Sequence, residues 1–191
     1  MKKIKLSFIA VIIAVATFGQ TKTWSLDKAH SKLGFSVTHL LVSDVDGNFK
    51  SFDARITTTQ DDFLDAVVEL TSDINSINTD NEQRDGHLKG ADFFDAAKYG
   101  SFTFKSKSFT KIDNKKYKVA GDLTLHGITR PVDLEVTFGG TAVHPYTKKT
   151  VGGFKATGTL KRSDFGIGAS TPGAVVSDEV AIYANAEFTK D

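Results

Sequence analysis

The sequence predicts an all-β fold, eight antiparallel strands closed into a barrel, from three observations. From Trp24 onward apolar and polar residues alternate with period 2, which puts one face of a strand in a core and the other in water. About eight such runs follow one another, most of them joined by short turns. Strands with one apolar face must cover it, and eight antiparallel strands can do so by closing on themselves. A two-sheet sandwich would show the same pattern. The barrel is favoured by runs of roughly 8–10 residues, long for a sandwich, and by Gly34, Gly47, Gly121 and Gly158, useful where strands coil sharply.

In chain order, Leu33, Phe35, Val37 and His39 share the first apolar face, and Val45, Gly47 and Phe49 the next. Parity then slips to Phe52, Ala54 and Ile56, which places a bulge at Lys50-Ser51. Thr57 to Asp61 reads as a turn or loop, followed by a strand carrying Val68 and Leu70. Phe102, Phe104 and Ser106 resume the alternation, and Asp113-Asn114-Lys115 connects them to Tyr117, Val119, Gly121, Leu123 and Leu125. The stretch from His126 to Pro131 turns the chain, with Gly127 supplying backbone freedom and Pro131 ending the ladder. Val132, Leu134, Val136 and Phe138 return as the hairpin partner. Phe154, Ala156, Gly158 and Leu160 form the next strand; Val180, Ile182, Ala184, Ala186 and Phe188 form the last.

The stretch from Thr79 to Phe94 breaks this alternation. Thr79-x-x-Glu82 has the form of a capping box, and Gly90 that of a residue closing a helix. A helix of ~10 residues is marginal alone, so this one must rest on the sheet. It gathers Arg84, Asp85 and His87. These form either a solvated face with an intrahelical ion pair, or a lid whose Arg84 and His87 meet the polar end of a ligand.

Composition narrows the function. The chain has 191 residues, 24 Lys+Arg against 23 Asp+Glu, and no basic run, which argues against nucleic acid. Residues 1–19 have the order of a secretory signal peptide: Lys2, Lys3 and Lys5, an apolar run from Leu6 to Phe18, then small residues. Cleavage after Gly19 fits, with Ala14-Val15-Ala16 as a competing site, and leaves one domain over 20–191 in the periplasm or secreted. No later segment is apolar enough to span a membrane. The absence of cysteine excludes a lipoprotein anchor, disulfides and thiolate metal sites.

No nucleophile elbow, phosphate loop, zinc helix or dinucleotide fingerprint occurs. The five histidines are dispersed, and the Asp pairs sit in turn-like contexts. Arg162-Ser163-Asp164 ends a strand, where an Arg–Asp pair would stabilise the Gly-rich loop after it. The residues therefore point to no catalytic group, metal or cofactor. Fifteen phenylalanines argue for a filled barrel, while the small residues among them leave room for one small ligand.

Several motifs in order resemble the YceI-like family of exported lipid-binding proteins. They are Trp24-Ser25-Leu26-Asp27-x-x-His30-Ser31, Phe35-x-Val37-x-His39-Leu40 and Val45-Asp46-Gly47-Asn48-Phe49. Asn81-x-x-Arg84-Asp85-x-His87-Leu88, Asp92-Phe93-Phe94-Asp95 and Phe102-Thr103-Phe104 continue the match. Gly121-Asp122-Leu123-Thr124-Leu125-His126-Gly127-Ile128-Thr129-Arg130-Pro131 and Arg162-Ser163-Asp164-Phe165-Gly166 complete it. Tyr99-Gly100 departs from the Tyr-Pro that the family often has there.

The resemblance implies an extended, lipocalin-like eight-stranded barrel around an elongated apolar tunnel, with a short helical lid insertion. It implies periplasmic binding, transport or storage of a polyisoprenoid or similar long apolar lipid. The tunnel wall would then come from Phe35, Val37, Phe49, Phe102, Phe104, Leu123, Leu125, Val136 and Phe138, and the lid would supply Arg84, His87, Leu88 and Phe94. Extended barrels with exposed strands commonly pair, so a homodimer is an expectation. The competing expectation is a stress-related interaction module with a filled barrel and no cargo.

Overall fold

The computed structural model describes residues 20–191; the expected signal segment, residues 1–19, lies outside them. The strands are β1 (Lys22–His39), β2 (Ser43–Phe49), β3 (Phe52–Thr58), β4 (Val67–Asp73) and β5 (Ile77–Asn78). One helix, α1 (Glu82–Lys89), follows, and then β6 (Ser101–Lys111), β7 (Lys116–Leu125), β8 (Ile128–Val143), β9 (Thr150–Lys161) and β10 (Val176–Lys190). Neighbouring strands run β10-β9-β8-β7-β6-β4-β3-β1, and β10 pairs back onto β1, closing an eight-stranded antiparallel barrel.

β2 and β3 act as one barrel strand broken at Lys50-Ser51, where the parity slip placed a bulge. β2 pairs with the second half of β1 (Leu33 opposite Phe49) and β3 with the first (Trp24 opposite Ile56). The sequence did not show a second, larger bulge. β1 pairs with β10 at Asp27–Glu187 and resumes at Lys32–Asn185, so residues 28–31 loop out of the ladder. On the inward face, rings lie on glycines. A Cβ added at Gly121 would stand 2.5 Å from Phe104 Cζ and 2.6 Å from the Lys105 carbonyl oxygen.

Several local expectations are corrected. The helix is capped by Asn81, whose side chain accepts from the Arg84 N–H at 2.9 Å, rather than by Thr79 with Glu82. Thr79 is buried, and its N–H and hydroxyl both donate to Asp85 (2.8 and 2.6 Å). Gly90 does close α1, with its N–H on the His87 carbonyl, and it is extended rather than left-handed. Thr57 and Thr58 belong to β3. Pro131 does not end the ladder, since it pairs with Asp122 inside the β7–β8 hairpin. β8 pairs with β9 only from Glu135 onward, so no ladder runs on the side where its missing N–H would matter. The turn itself is His126-Gly127, both at positive φ (52° and 73°), as a tight two-residue hairpin requires.

Packing divides the barrel in two along its axis. At the end holding the β3–β4, β6–β7 and β8–β9 turns, Phe63 packs among Trp24 (5.6 Å between ring centroids), Phe138 (5.2 Å) and Phe154 (5.3 Å). The loop that delivers it is held by Asp65, which accepts from the Thr58 and Thr59 hydroxyls and from the N–H groups of Thr59 and Gln60. That end is filled. The opposite end carries the residue 40–42 tip, α1, the His126-Gly127 turn and the Gly-rich segment before β10.

Candidate functional site

The end with α1 is hollow. A cavity of about 490 Å³ lies there, within the 300–1,000 Å³ typical of small-molecule sites. Phe35, Val37 and Phe49 from β1 and β2, Phe102 from β6 and Leu123 and Leu125 from β7 line it, as the alternation places them. Ile182 and Val180 of β10 complete the circle. The segment from Thr79 to Phe94 sits beside β2 and contributes Arg84, His87, Leu88 and Phe94. Phe94 meets Phe49 edge-on at 6.2 Å, and His87 meets Phe93 at 5.0 Å. His87 and Val175 line the cavity and are exposed as well, so the opening lies at that end.

A second cavity of about 150 Å³ continues toward the filled end, and Phe104 and Val136 line this inner space. The two share Leu33, Phe102, Leu123 and Ile182, which form a ring between an outer and an inner chamber. Phe138 lines neither chamber. It stacks on Phe154 at 5.0 Å, against Phe63. Alternation assigned it to the inner face correctly but could not give its depth along the barrel. The aromatic packing of the inner end leaves about 150 Å³ of space, against about 490 Å³ at the outer end.

The polar groups of the outer chamber are few, and the two that are charged are both arginines. Arg84, Arg162, His39 and His87 line it together with two threonines, and no carboxylate does. Arg84 donates through Nε to Thr79 Oγ1 (2.8 Å) and through Nη2 to the Thr79 carbonyl (2.7 Å). Three of its five N–H groups have no bond within the described residues. The expected solvated face with an intrahelical pair is not what forms. Asp85 is buried against Thr79, and Arg84 is turned to the chamber.

Arg162 is 7% exposed and departs from the expected pair with Asp164. Its guanidinium donates to five carbonyls: Ser177 (3.2 Å), Ile167 (3.0 Å), Gly168 (2.6 Å), Thr171 (2.7 Å) and Val176 (3.1 Å). All five donors are used on backbone, so the charge is hydrogen-bonded but not neutralised by a contacting acid. The nearby Asp178 instead accepts from Ser163 N–H and hydroxyl; these bonds hold its carboxyl below the usual range. Nothing in the Arg-x-Asp spacing announced this role.

One cluster of metal-ligand types exists among the described residues. Asp27, His30 and Glu187 lie within 4.8 Å of one another at the large bulge, away from both chambers. Asp27 accepts from His30 Nδ1 at 2.9 Å, and this bond, followed by the charges of Asp27 and Glu187, raises the His30 pKa. An exposed pair of this kind contributes little to stability.

Comparison with known proteins follows the same outline. The YceI-like domain model matches residues 24–188. The chain belongs to the YceI-like family. A UPF0312 protein of Staphylococcus aureus is 38% identical over 170 residues, covering 87% of this chain and 96% of that one. The Campylobacter jejuni YceI protein superposes with a TM-score of 0.71 at 36% identity, over 86% of this chain and 96% of that one. Burkholderia cenocepacia BcnA gives 0.76 at 26% identity, over 85% and 98%. A polyisoprenoid binding domain from Saccharophagus degradans, implicated in plant cell wall breakdown, has the same fold at 18% identity and a TM-score of 0.67, over 88% and 98%. The lipocalin-like barrel of this YceI-like chain is therefore the family's architecture, with the helical insertion beside its mouth.

Proposed function

We propose that this protein binds one long apolar lipid of the polyisoprenoid or fatty-acyl type, with an anionic head group at the mouth, and carries or stores it in the periplasm. The observation that supports this best is the sign of the outer chamber. Its wall is apolar, its charged side chains are Arg84 and Arg162, and no carboxylate faces in. A phosphate or carboxylate head would gain charge-assisted hydrogen bonds from the free N–H groups of Arg84 and the field of Arg162. The Saccharophagus domain, which has this fold, is described as polyisoprenoid binding.

Volume sets the scale of the cargo. A methylene occupies about the room of a water molecule, ~30 Å³, so the outer chamber of about 490 Å³ takes roughly 16 carbons. The inner chamber of about 150 Å³ adds roughly five more. A chain of about 20 carbons fits, and a longer polyisoprenoid would leave its remainder outside the mouth. Burial of 16 methylenes at ~0.8 kcal/mol each gives about 13 kcal/mol gross, from which chain ordering and head-group desolvation subtract. Subtracting even ~4 kcal/mol of such costs leaves about 9 kcal/mol, close to micromolar binding.

The test is native mass spectrometry of protein purified from its own periplasm without detergent. The expected result is an added mass that extracts into organic solvent as an anionic lipid. A bare polypeptide mass, from cells in which such lipids are abundant, overturns the proposal.

A further inference from the structure

The most exposed apolar residues at the open end are three in a row. Leu40 is 53% exposed, Leu41 71% and Val42 82%, in the turn between β1 and β2. Leu40 and Leu41 both have positive φ (51° and 62°), a region that bulky residues seldom occupy. Backbone outliers of this kind persist where the surroundings enforce them and cluster at functional sites. The enforcement is visible: the Leu40 N–H donates to the Val175 carbonyl at 3.0 Å and the Val42 N–H to the His39 carbonyl at 3.1 Å. The tip is thus fastened to the segment that leads into β10. That segment, Ala169-Ser170-Thr171-Pro172-Gly173-Ala174-Val175, has no charge and is largely exposed.

The tip is joined to the chamber wall through Val175, which accepts from Leu40 and lines the chamber. Val37, Val45, Val175 and Val176 line the outer chamber and flank the turn in sequence or by hydrogen bond. We infer that Leu40, Leu41 and Val42, with the uncharged 169–175 segment, form a bilayer-docking rim that dips into the headgroup–acyl boundary and opens the chamber onto the membrane. The inference rests on the lipid-cargo proposal, because a chain insoluble in water has to enter from a bilayer.

A second copy of the protein is the rival occupant. Three side chains fall well short of the ~800 Å² per partner that a stable dimer buries. Shallow insertion needs only a few apolar side chains. The neighbouring charges indicate which bilayer. Asp44 and Asp46 lie just past the tip and residues 40–49 and 169–175 contain no Lys or Arg, so the contact is with hydrocarbon and zwitterionic headgroups, not with anionic lipid.

The test compares the mature protein with the double variant Leu41→Asn, Val42→Ser. Asn tolerates the left-handed conformation, so the turn keeps its shape. A pyrene-labelled C16 fatty acid is offered either in phosphatidylcholine vesicles or as a cyclodextrin complex, which has no bilayer. Uptake from vesicles should fall at least ten-fold in the variant, and co-sedimentation with the vesicles should be lost at low and high salt alike. Uptake from cyclodextrin should not change. Equal vesicle uptake by the two proteins overturns the docking rim, and so does conversion of a dimer to a monomer by the variant. If neither protein takes the probe from cyclodextrin, the cargo proposal fails, and co-sedimentation still decides the rim.

Discussion

Arg84 and Thr79 hold each other at the chamber mouth: two N–H groups of the guanidinium grip the threonine hydroxyl and carbonyl, at 2.8 and 2.7 Å. The same hydroxyl donates to buried Asp85 at 2.6 Å, so one residue before α1 anchors both consecutive side chains of the helix. Eight residues of helix are too few to be stable alone. This anchoring fixes α1 to the barrel and aims the remaining donors of Arg84 into the chamber.

Arg84→Ala should therefore separate head-group recognition from chain burial. Affinity for a C16 fatty acid should fall by about 1–3 kcal/mol, the value of a charged hydrogen bond, while the matching alcohol binds nearly unchanged. Titration calorimetry with both ligands measures this. Equal losses for acid and alcohol would remove Arg84 from the head-group site.

Val180→Phe adds bulk to the outer chamber wall, which Val180 lines. The longest saturated chain bound should shorten by about two carbons, given ~30 Å³ per methylene, with little change in melting temperature. A chain-length series followed by probe displacement reads it directly. An unaltered length optimum would mean that the cargo does not reach β10.

Arg162→Lys should destabilise the fold despite keeping the charge. An ammonium has three donors for the five carbonyls that the guanidinium serves, so at least two are left without a partner. The expected cost is about 2–6 kcal/mol in urea unfolding, at ~1–3 kcal/mol for each of two orphaned groups. A wild-type midpoint would show that the Gly-rich segment re-forms its own bonds.

Asp65 supplies a pH dependence. Burial alone would raise its pKa, but the hydrogen bonds from Thr58, Thr59 and Gln60 outweigh that and hold it far below the usual carboxylate value. A depressed folded pKa gives stability that is complete above the unfolded value near 4 and is lost as pH falls further. Asp65→Asn should cost of order 1 kcal/mol at pH 7, given its solvent exposure, and should flatten the acid limb below pH 4. Urea midpoints from pH 2 to 7 test it; parallel curves for the two proteins would show that another carboxylate sets the acid limb.

Which side of each strand faces inward can be read from the residues alone. Period-2 alternation is a local property, and the slip at Lys50-Ser51, the turn at Gly127 and the inward faces of β6 and β7 were legible from neighbouring residues alone. The ordered motifs pointed to the family, which the match over residues 24–188 established. The tertiary structure decided depth and partnership. Val136 and Phe138 share a face, yet one lines the inner chamber and the other packs against Phe63, because that ring arrives from a loop some 75 positions earlier. Closure depends on pairs such as Val37 with Val180, and the charge of Arg162 is met by carbonyls whose positions the turns before β10 set. Alternation records a direction relative to the sheet; where space remains depends on the sum of all side-chain volumes at one height in the barrel, which no local pattern contains.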